Sequence, residues 1–417
     1  MVTHFGALNG LRRQLGVIGR APSYRLLFLA AVGSTLGTLL AAVALVVDVK
    51  DRTDSGPWVS ALFIVEFLPA VAVGLLFGPL LDRLSRRATM ITADLVRAAA
   101  FCVLPFTQDA LQVVVLAGIA GVATGFFRPA AYAGLPNLVA EEDLAAANSV
   151  LQTAENASWA VGPVVGGVLV AATGPHTAYW INAASFVLSA ALLSGIPRRL
   201  LQAAVGQTHG HLRDLREGLA FVVRSRPLRT VLVAWTIAMV AIAAINTTEV
   251  FLAKDSFAAG DFGYGLLFGS IGLGLAIGSL GAGALVERRP VGVVYGGGIL
   301  VSAVGFGLSA AAPNVWVGAA CCVLAGIGNG AAVLCNALLV QRGAPDEIRG
   351  RAFTVIMAVN YVAFGGGFVA GGLLDDAYGA RWVWGGSAIL LGLSGVGAYA
   401  LSRGMTMHAA AEPEPAV

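Results

Sequence analysis

Charge is scarce in this chain: 12% of its 417 residues are charged against 57% apolar. With a mean hydropathy of +0.80 this lies well outside the range of soluble globular domains, so most of the chain must lie in lipid. Cysteine is scarce too. Cys102, Cys321, Cys322 and Cys335 all fall in apolar stretches, where a thiol acts as a small hydrophobe, and no pair among them suggests a disulfide framework or a metal site. His209 and His211 lack a third ligand and read as solvated. There is no nucleophile paired with a base, no metal-ligand spacing and no nucleotide loop, which excludes a membrane enzyme and an ATP-driven pump on this chain. The run Gly269-Ser270-Ile271-Gly272-Leu273-Gly274 follows no strand and so is not a dinucleotide loop. With 54 glycines in all, its three- and four-residue spacing reads as close packing of membrane helices.

What is present is a series of long apolar runs. Runs of about 20 residues match a hydrocarbon core about 30 Å thick. They predict twelve helices, near 25–47, 58–80, 88–107, 110–132, 147–172, 177–196, 230–252, 264–286, 291–311, 315–338, 352–374 and 381–402. The first run is too long for a cleavable signal peptide and lacks a small-residue cleavage site, so it is expected to remain as a span. Basic residues orient the chain, because Lys and Arg in short loops stay cytoplasmic. Twenty of the 26 fall on alternate loops, among them Arg12, Arg13, Arg83, Arg86, Arg87 and the seven arginines between Arg198 and Arg229. Both termini are therefore expected in the cytoplasm, and this bias accounts for the net charge of +3 without a nucleic-acid partner.

The chain is also duplicated. Gly78-Pro79-Leu80-Leu81-Asp82-Arg83-Leu84-Ser85-Arg86-Arg87 closes the second apolar run, and 205 residues later Gly283-Ala284-Leu285-Val286-Glu287-Arg288-Arg289 closes the eighth in the same order of small residue, acid and arginines. Glu142-Asp143 after the fourth run lines up with Asp346-Glu347 after the tenth at nearly the same offset. Two matches at one offset predict a parallel repeat of two six-helix halves. The expected organisation is a cytoplasmic N-terminus (1–24), a first bundle (25–196), a linker (197–229), a second bundle (230–402) and a disordered cytoplasmic tail (403–417). In the linker, residues 212–223 alternate charge and bulk at helical spacing and read as an interfacial helix.

The loop at Gly78, Asp82, Arg83, Arg86 and Arg87, with its echo at Gly283, Glu287 and Arg288, resembles the signature loop of the major facilitator superfamily. The likeness extends over about residues 20 to 403. Within the superfamily the chain is similar to the drug-exporting branch of macrolide-efflux and enterobactin-exporter-like proteins, through Phe126-Phe127-Arg128-Pro129-Ala130, Leu135-Pro136-Asn137, Gly162-Pro163 and Gly350-Arg351. Arg128 departs from the uncharged or acidic residue expected there. The resemblance implies an all-α integral membrane fold of twelve helices and alternating access around a midplane site. It further implies export of a small amphipathic drug, antibiotic or siderophore by a monomer in the inner (plasma) membrane. No cofactor is expected, the driving force being proton entry. The same fold also serves uptake carriers and lysophospholipid flippases, and a non-transporting receptor or scaffold is a further alternative.

Several residues carry this expectation. Asp82 with its arginines would latch the cytoplasmic end in one state, with Arg97 and Arg128 as further partners. Gly162, Pro163, Gly166 and Gly167 match the core of an antiporter motif, although Ser158 stands where the family has an earlier glycine. Pro163 removes an amide donor, so this span can bend or pack tightly. Glu66 and Glu155 lie about eight residues into their spans, about 12 Å deep. A carboxylate there costs about 2.5 to 3.5 kcal/mol and needs a reason to be present, for which reversible proton binding is the candidate. Asp94 is a third such acid, one turn from Arg97 and able to pair with it. Phe63, Phe67, Asn156, Trp159, Asn360, Tyr361 and Phe364 lie near mid-depth and are candidates for a substrate cavity.

Overall fold

Lipid offers backbone amides and carbonyls no partner, so apolar runs of this length must satisfy their hydrogen bonds internally, as helices. A computed structural model describes residues 16–76, 84–202 and 219–402 of the chain. It contains the twelve expected helices: α1 (Pro22–Thr53), α2 (Gly56–Leu76), α3 (Arg86–Val103), α4 (Ala110–Gly134), α5 (Leu144–Thr173), α6 (Pro175–Ser194), α7 (Arg226–Phe251), α8 (Gly260–Val286), α9 (Val291–Ala310), α10 (Val315–Gly343), α11 (Asp346–Tyr378) and α12 (Ala380–Ser402). Eleven are long and apolar enough to cross a membrane, and the twelfth, α2, is described up to Leu76. There are no strands among the described residues. Of the linker helix expected at 212–223, only residues 219–223 fall within the described region, and they are helical.

Local chemistry sets the helix ends. Asp109 accepts from the Gln112 amide at 2.9 Å to cap α4, and Asn314 accepts from the Trp316 and Val317 amides to cap α10. Proline stands in the first turn of α1, α6 and α7, where its missing N–H costs no helical bond. Gly174 ends α5 at φ +76° and Gly379 ends α11 at φ +82°, conformations open to glycine at little cost.

The internal repeat is visible in packing and in backbone alike. In the first half α1 packs on α5 and α6, α2 on α4, and α3 on α4 and α6; six helices later α7 packs on α11 and α12, α8 on α10, and α9 on α10 and α12. Gly174 and Gly379 occupy matching corners, as do the positive-φ residues Asp54 and Ala258 that follow α1 and α7. Across the halves, α2 meets α11 and α5 meets α8, which are again equivalent seams. The result is an all-α membrane fold of two pseudo-symmetric six-helix halves, with a cavity between them walled by α2, α4, α7, α10 and α11.

Candidate functional site

A cavity of about 560 Å³ lies between the halves, within the size range of small-molecule sites. Its wall includes Phe67 of α2, Thr124 and Arg128 of α4, Trp235 and Met239 of α7, Asn329 of α10, and Phe353, Met357, Tyr361 and Phe364 of α11. It occupies the part of the interface nearer the arginine-rich loops, since Arg128 lies six residues before the end of α4 and Phe353 seven residues after the start of α11. Two further grooves, between α3 and α4 and along α7, α11 and α12, each lie within one half.

Toward the opposite end the halves close on each other. Phe63 of α2 stacks on Phe368 of α11 with centroids 5.1 Å apart, and the Ser60 hydroxyl donates to the Phe368 carbonyl at 2.6 Å. Further out, the Gly56 amide donates to Asp376 at 2.8 Å. A Cβ on Gly56 would sit 2.8 Å from the Gly372 Cα, so backbone meets backbone there. The second seam is as close: a Cβ on Gly167 of α5 would sit 2.8 Å from the Gly265 Cα of α8.

At the rim, Lys50 of α1 donates to Asp255 at 2.8 Å, and Lys254 donates to Asp51 of α1 at 2.6 Å. Lys254 and Asp255 lie on the π-helical turn Leu252–Ser256 that extends α7. The two Lys-Asp dipeptides are 204 residues apart, so the repeat places the same sequence on both sides of the seam and each lysine meets the other half's acid. Each lysine also keeps an acid of its own half: Asp54 lies 2.9 Å from Lys50, and Asp261 lies 2.7 Å from Lys254. The shared offset of the two dipeptides is the sequence signal that marks these four residues.

The three membrane acids have different surroundings. Asp94 and Arg97 form a short ion pair sealed inside the first half, 0% and 4% exposed, with the guanidinium between the rings of Phe127 (4.4 Å) and Phe186 (4.3 Å). Neither lines the cavity. Glu155 lies behind the cavity wall, accepting from the Tyr132 hydroxyl at 2.9 Å and lying 3.5 Å from Arg128. Glu66 is half-buried next to Phe67 where α2 crosses Gly121 of α4, and it has no hydrogen-bond or ion-pair partner among the described residues. A fourth acid, Glu249 of α7, is 2% exposed, and its Oε1 has no partner among the described residues. It lies toward the end of α7 that carries the rim.

Of the residues expected to line a cavity, Phe67, Tyr361 and Phe364 do so. Phe63 belongs instead to the closed seam, Asn360 accepts from Thr236 of α7 at 3.0 Å, and Trp159 packs edge-on to Phe268 of α8; Asn156 is exposed elsewhere on α5. The antiporter-motif residues lie where α5 is clamped between α1 of its own half and α8 of the other. Cβ atoms on Gly162 and Gly166 would meet α1 at Leu39 (2.7 Å) and Leu40 (2.6 Å), and the helix runs unbroken through Pro163.

Gly78, Asp82 and Arg83 of the signature loop lie outside the described residues. Arg87 donates to the Leu193 and Ser194 carbonyls, tying the start of α3 to the negative end of α6, and Arg86 is half-exposed. In the second loop Gly283 is half-exposed, and Glu287 and Arg288 are exposed beyond α8.

Two six-helix halves around a shared cavity, closed at one end by contacts that parting would break, define a membrane transporter of small molecules rather than an enzyme. The sequence profile described as Major Facilitator Superfamily matches residues 27–365 and 237–415, and the chain belongs to that family. It is 28% identical to the multidrug efflux pump Tap of Mycolicibacterium fortuitum over 94% of this chain and 99% of that protein. Macrolide efflux protein A of Streptococcus pyogenes is 26% identical over 57% of this chain and 63% of its own length. Among solved structures, a POT family transporter in complex with a thioalcohol-conjugated peptide superposes with a TM-score of 0.75 at 11% identity, over 92% of this chain and 96% of that one.

Proposed function

We propose that the chain exports small amphipathic molecules, of the drug, antibiotic or siderophore kind, in exchange for protons by alternating access. It would act as a monomer in the inner membrane with both termini in the cytoplasm. The observation that carries this reading is the one-sided closure: a lined cavity, a seam of rings and glycines beyond it, and a rim of ion pairs at its far end. The alternation of arginine-rich loops makes the cavity side cytoplasmic. On this reading the described conformation faces inward, ready to take substrate from the cytoplasm. The names of Tap and macrolide efflux protein A support the exporting direction.

Glu66 is the proton carrier on this reading, because Asp94 and Glu155 are held by arginines while Glu66 stands unpaired one residue from the cavity wall. Gly78, Asp82, Arg83, Arg86 and Arg87 latch the cytoplasmic end when the rim opens. The test is dequenching of a pH-sensitive dye in energised inside-out vesicles on addition of macrolides, tetracyclines, cationic dyes and siderophores. Proton release with at least one compound, lost in Glu66→Gln at equal expression, is the expected result. Substrate efflux that persists unchanged when the proton gradient is collapsed would overturn the coupling.

A further inference from the structure

The charge inside the central cavity has a sign. Among the described residues that line it, Arg128 is the one ionised side chain; the rest are chiefly rings and aliphatic groups, with Phe67, Trp235, Tyr361 and Phe364 presenting flat faces. Arg128 is also placed to reach a ligand, its side chain being 61% exposed while that of Glu155 is 12% exposed, so the cation faces the cavity and its counter-ion sits behind it. The two are 3.5 Å apart, longer than a good charge-assisted hydrogen bond, and the same Glu155 oxygen already accepts from Tyr132 at 2.9 Å. Guanidinium donors are therefore left for another acceptor. A planar, weakly hydrated guanidinium suits a carboxylate or sulfonate in bidentate fashion. A cationic ligand would meet a like charge here and no acid in the described wall.

We infer that the central cavity takes aromatic or apolar monoanions, whose acidic group docks on Arg128 in competition with Glu155. This rests on the reading of the cavity as the transport site. The rings supply the sequence-tolerant apolar surface, and Arg128 supplies orientation. While the anion holds Arg128, Glu155 keeps its hydrogen bond from Tyr132, and when the anion leaves Arg128 returns to it.

The test is equilibrium dialysis of the full chain in lipid nanodiscs against three ligands with one aromatic body: naphthalene acetate, naphthalene acetamide and naphthyl ethylammonium. The anion is expected to bind about tenfold more tightly than the amide, the worth of one charged hydrogen-bonded pair, and the ammonium most weakly. In Arg128→Gln the anion's advantage disappears while amide binding is kept, which also reports that the cavity is intact. In Glu155→Gln, with the competing acid gone, the anion binds a few-fold more tightly. Preference for the ammonium in wild type, an anion advantage that survives Arg128→Gln, or no gain in Glu155→Gln would overturn the inference. Export is read separately, as uptake of the radiolabelled acetate into inside-out vesicles. Ordered binding without uptake would refute the exporter reading and leave the site assignment standing.

Discussion

Asp255→Asn removes one of the two ion pairs that cross the rim, and its effect can be worked out from the contacts. Lys50 and Lys254 are 11% and 16% exposed, while the acids they meet across the seam, Asp255 and Asp51, are 51% and 50% exposed. Half-exposed pairs of this kind contribute up to about 1 kcal/mol each. The loss is not increased by a stranded charge, because Lys50 keeps Asp54 in its own half. The same provision means that opening the rim leaves neither lysine without a partner, which keeps the closure reversible. A loss of about 1 kcal/mol raises the ratio of open to closed rim about fivefold, and the Asp51→Asn/Asp255→Asn double variant, at about 2 kcal/mol, raises it about thirtyfold. The readout is alkylation of Ser60→Cys by a membrane-impermeant maleimide from outside, in a background with the four native cysteines replaced. Ser60 is 3% exposed beneath the closed rim, so labelling follows the open population. Exchanging the dipeptide in one half (Lys50→Asp/Asp51→Lys) opposes like charges across the seam and should speed labelling further, without changing the net charge. Exchanging it in both halves restores opposite charges, and labelling should fall back toward the wild-type rate. Unchanged labelling in the double asparagine variant, or failure of the two-sided exchange to slow it, would refute a rim held by reciprocal pairing.

Two further perturbations separate the seam from the interior of the first half. Gly167→Val introduces a Cβ that would sit 2.8 Å from the Gly265 Cα, where backbone meets backbone, so it should destabilise the closed-rim form by about 1 to 3 kcal/mol; faster labelling of Ser60→Cys checks it, and an unchanged rate would show that the α5–α8 seam tolerates bulk. Arg97→Leu leaves Asp94 as a buried uncompensated charge and should cost about 3 to 5 kcal/mol of stability, read as a lower detergent-solubilised Tm, while the Asp94→Asn/Arg97→Leu pair should recover much of that loss; no recovery would mean that the stacking of Arg97 on Phe127 and Phe186, rather than the charge pair, holds that core.

The helices were legible because hydropathy and length are the same constraint in a bilayer, and all twelve spans stand where apolar runs placed them. The ends were less legible, and α1 shows why. Its apolar run stops at Val47, yet the helix continues to Thr53. Beyond Val47 it is carried by polar contacts at helical spacing, Arg52 to Asp48 at 2.7 Å and Lys50 to Asp54 at 2.9 Å. A reading by hydropathy ends the span nearly two turns early and assigns the rim residues to a loop, where charges are ordinarily just solvated.

Arg128 was legible as an anomaly but not in its role. Its place at the inner end of the fourth span pointed to Asp82 as a partner, because the sequence shows depth along a helix and not the direction a side chain takes around it. In three dimensions it turns into the cavity and has Glu155 of the next helix beside it. The same limit separated Glu66 from Glu155 and Asp94. All three are acids in apolar runs, and only the neighbouring helices decide that two are neutralised by arginines while the third is left unpaired. The Lys-Asp dipeptides are a different case, because the information was present in one dimension. Residues related by the repeat face each other across the pseudo-symmetry axis, so a cation followed by an anion at both positions is self-complementary, as surfaces are in a two-fold dimer. A duplicated chain can therefore be read for gates by asking which charged dipeptides recur at the repeat offset near helix ends.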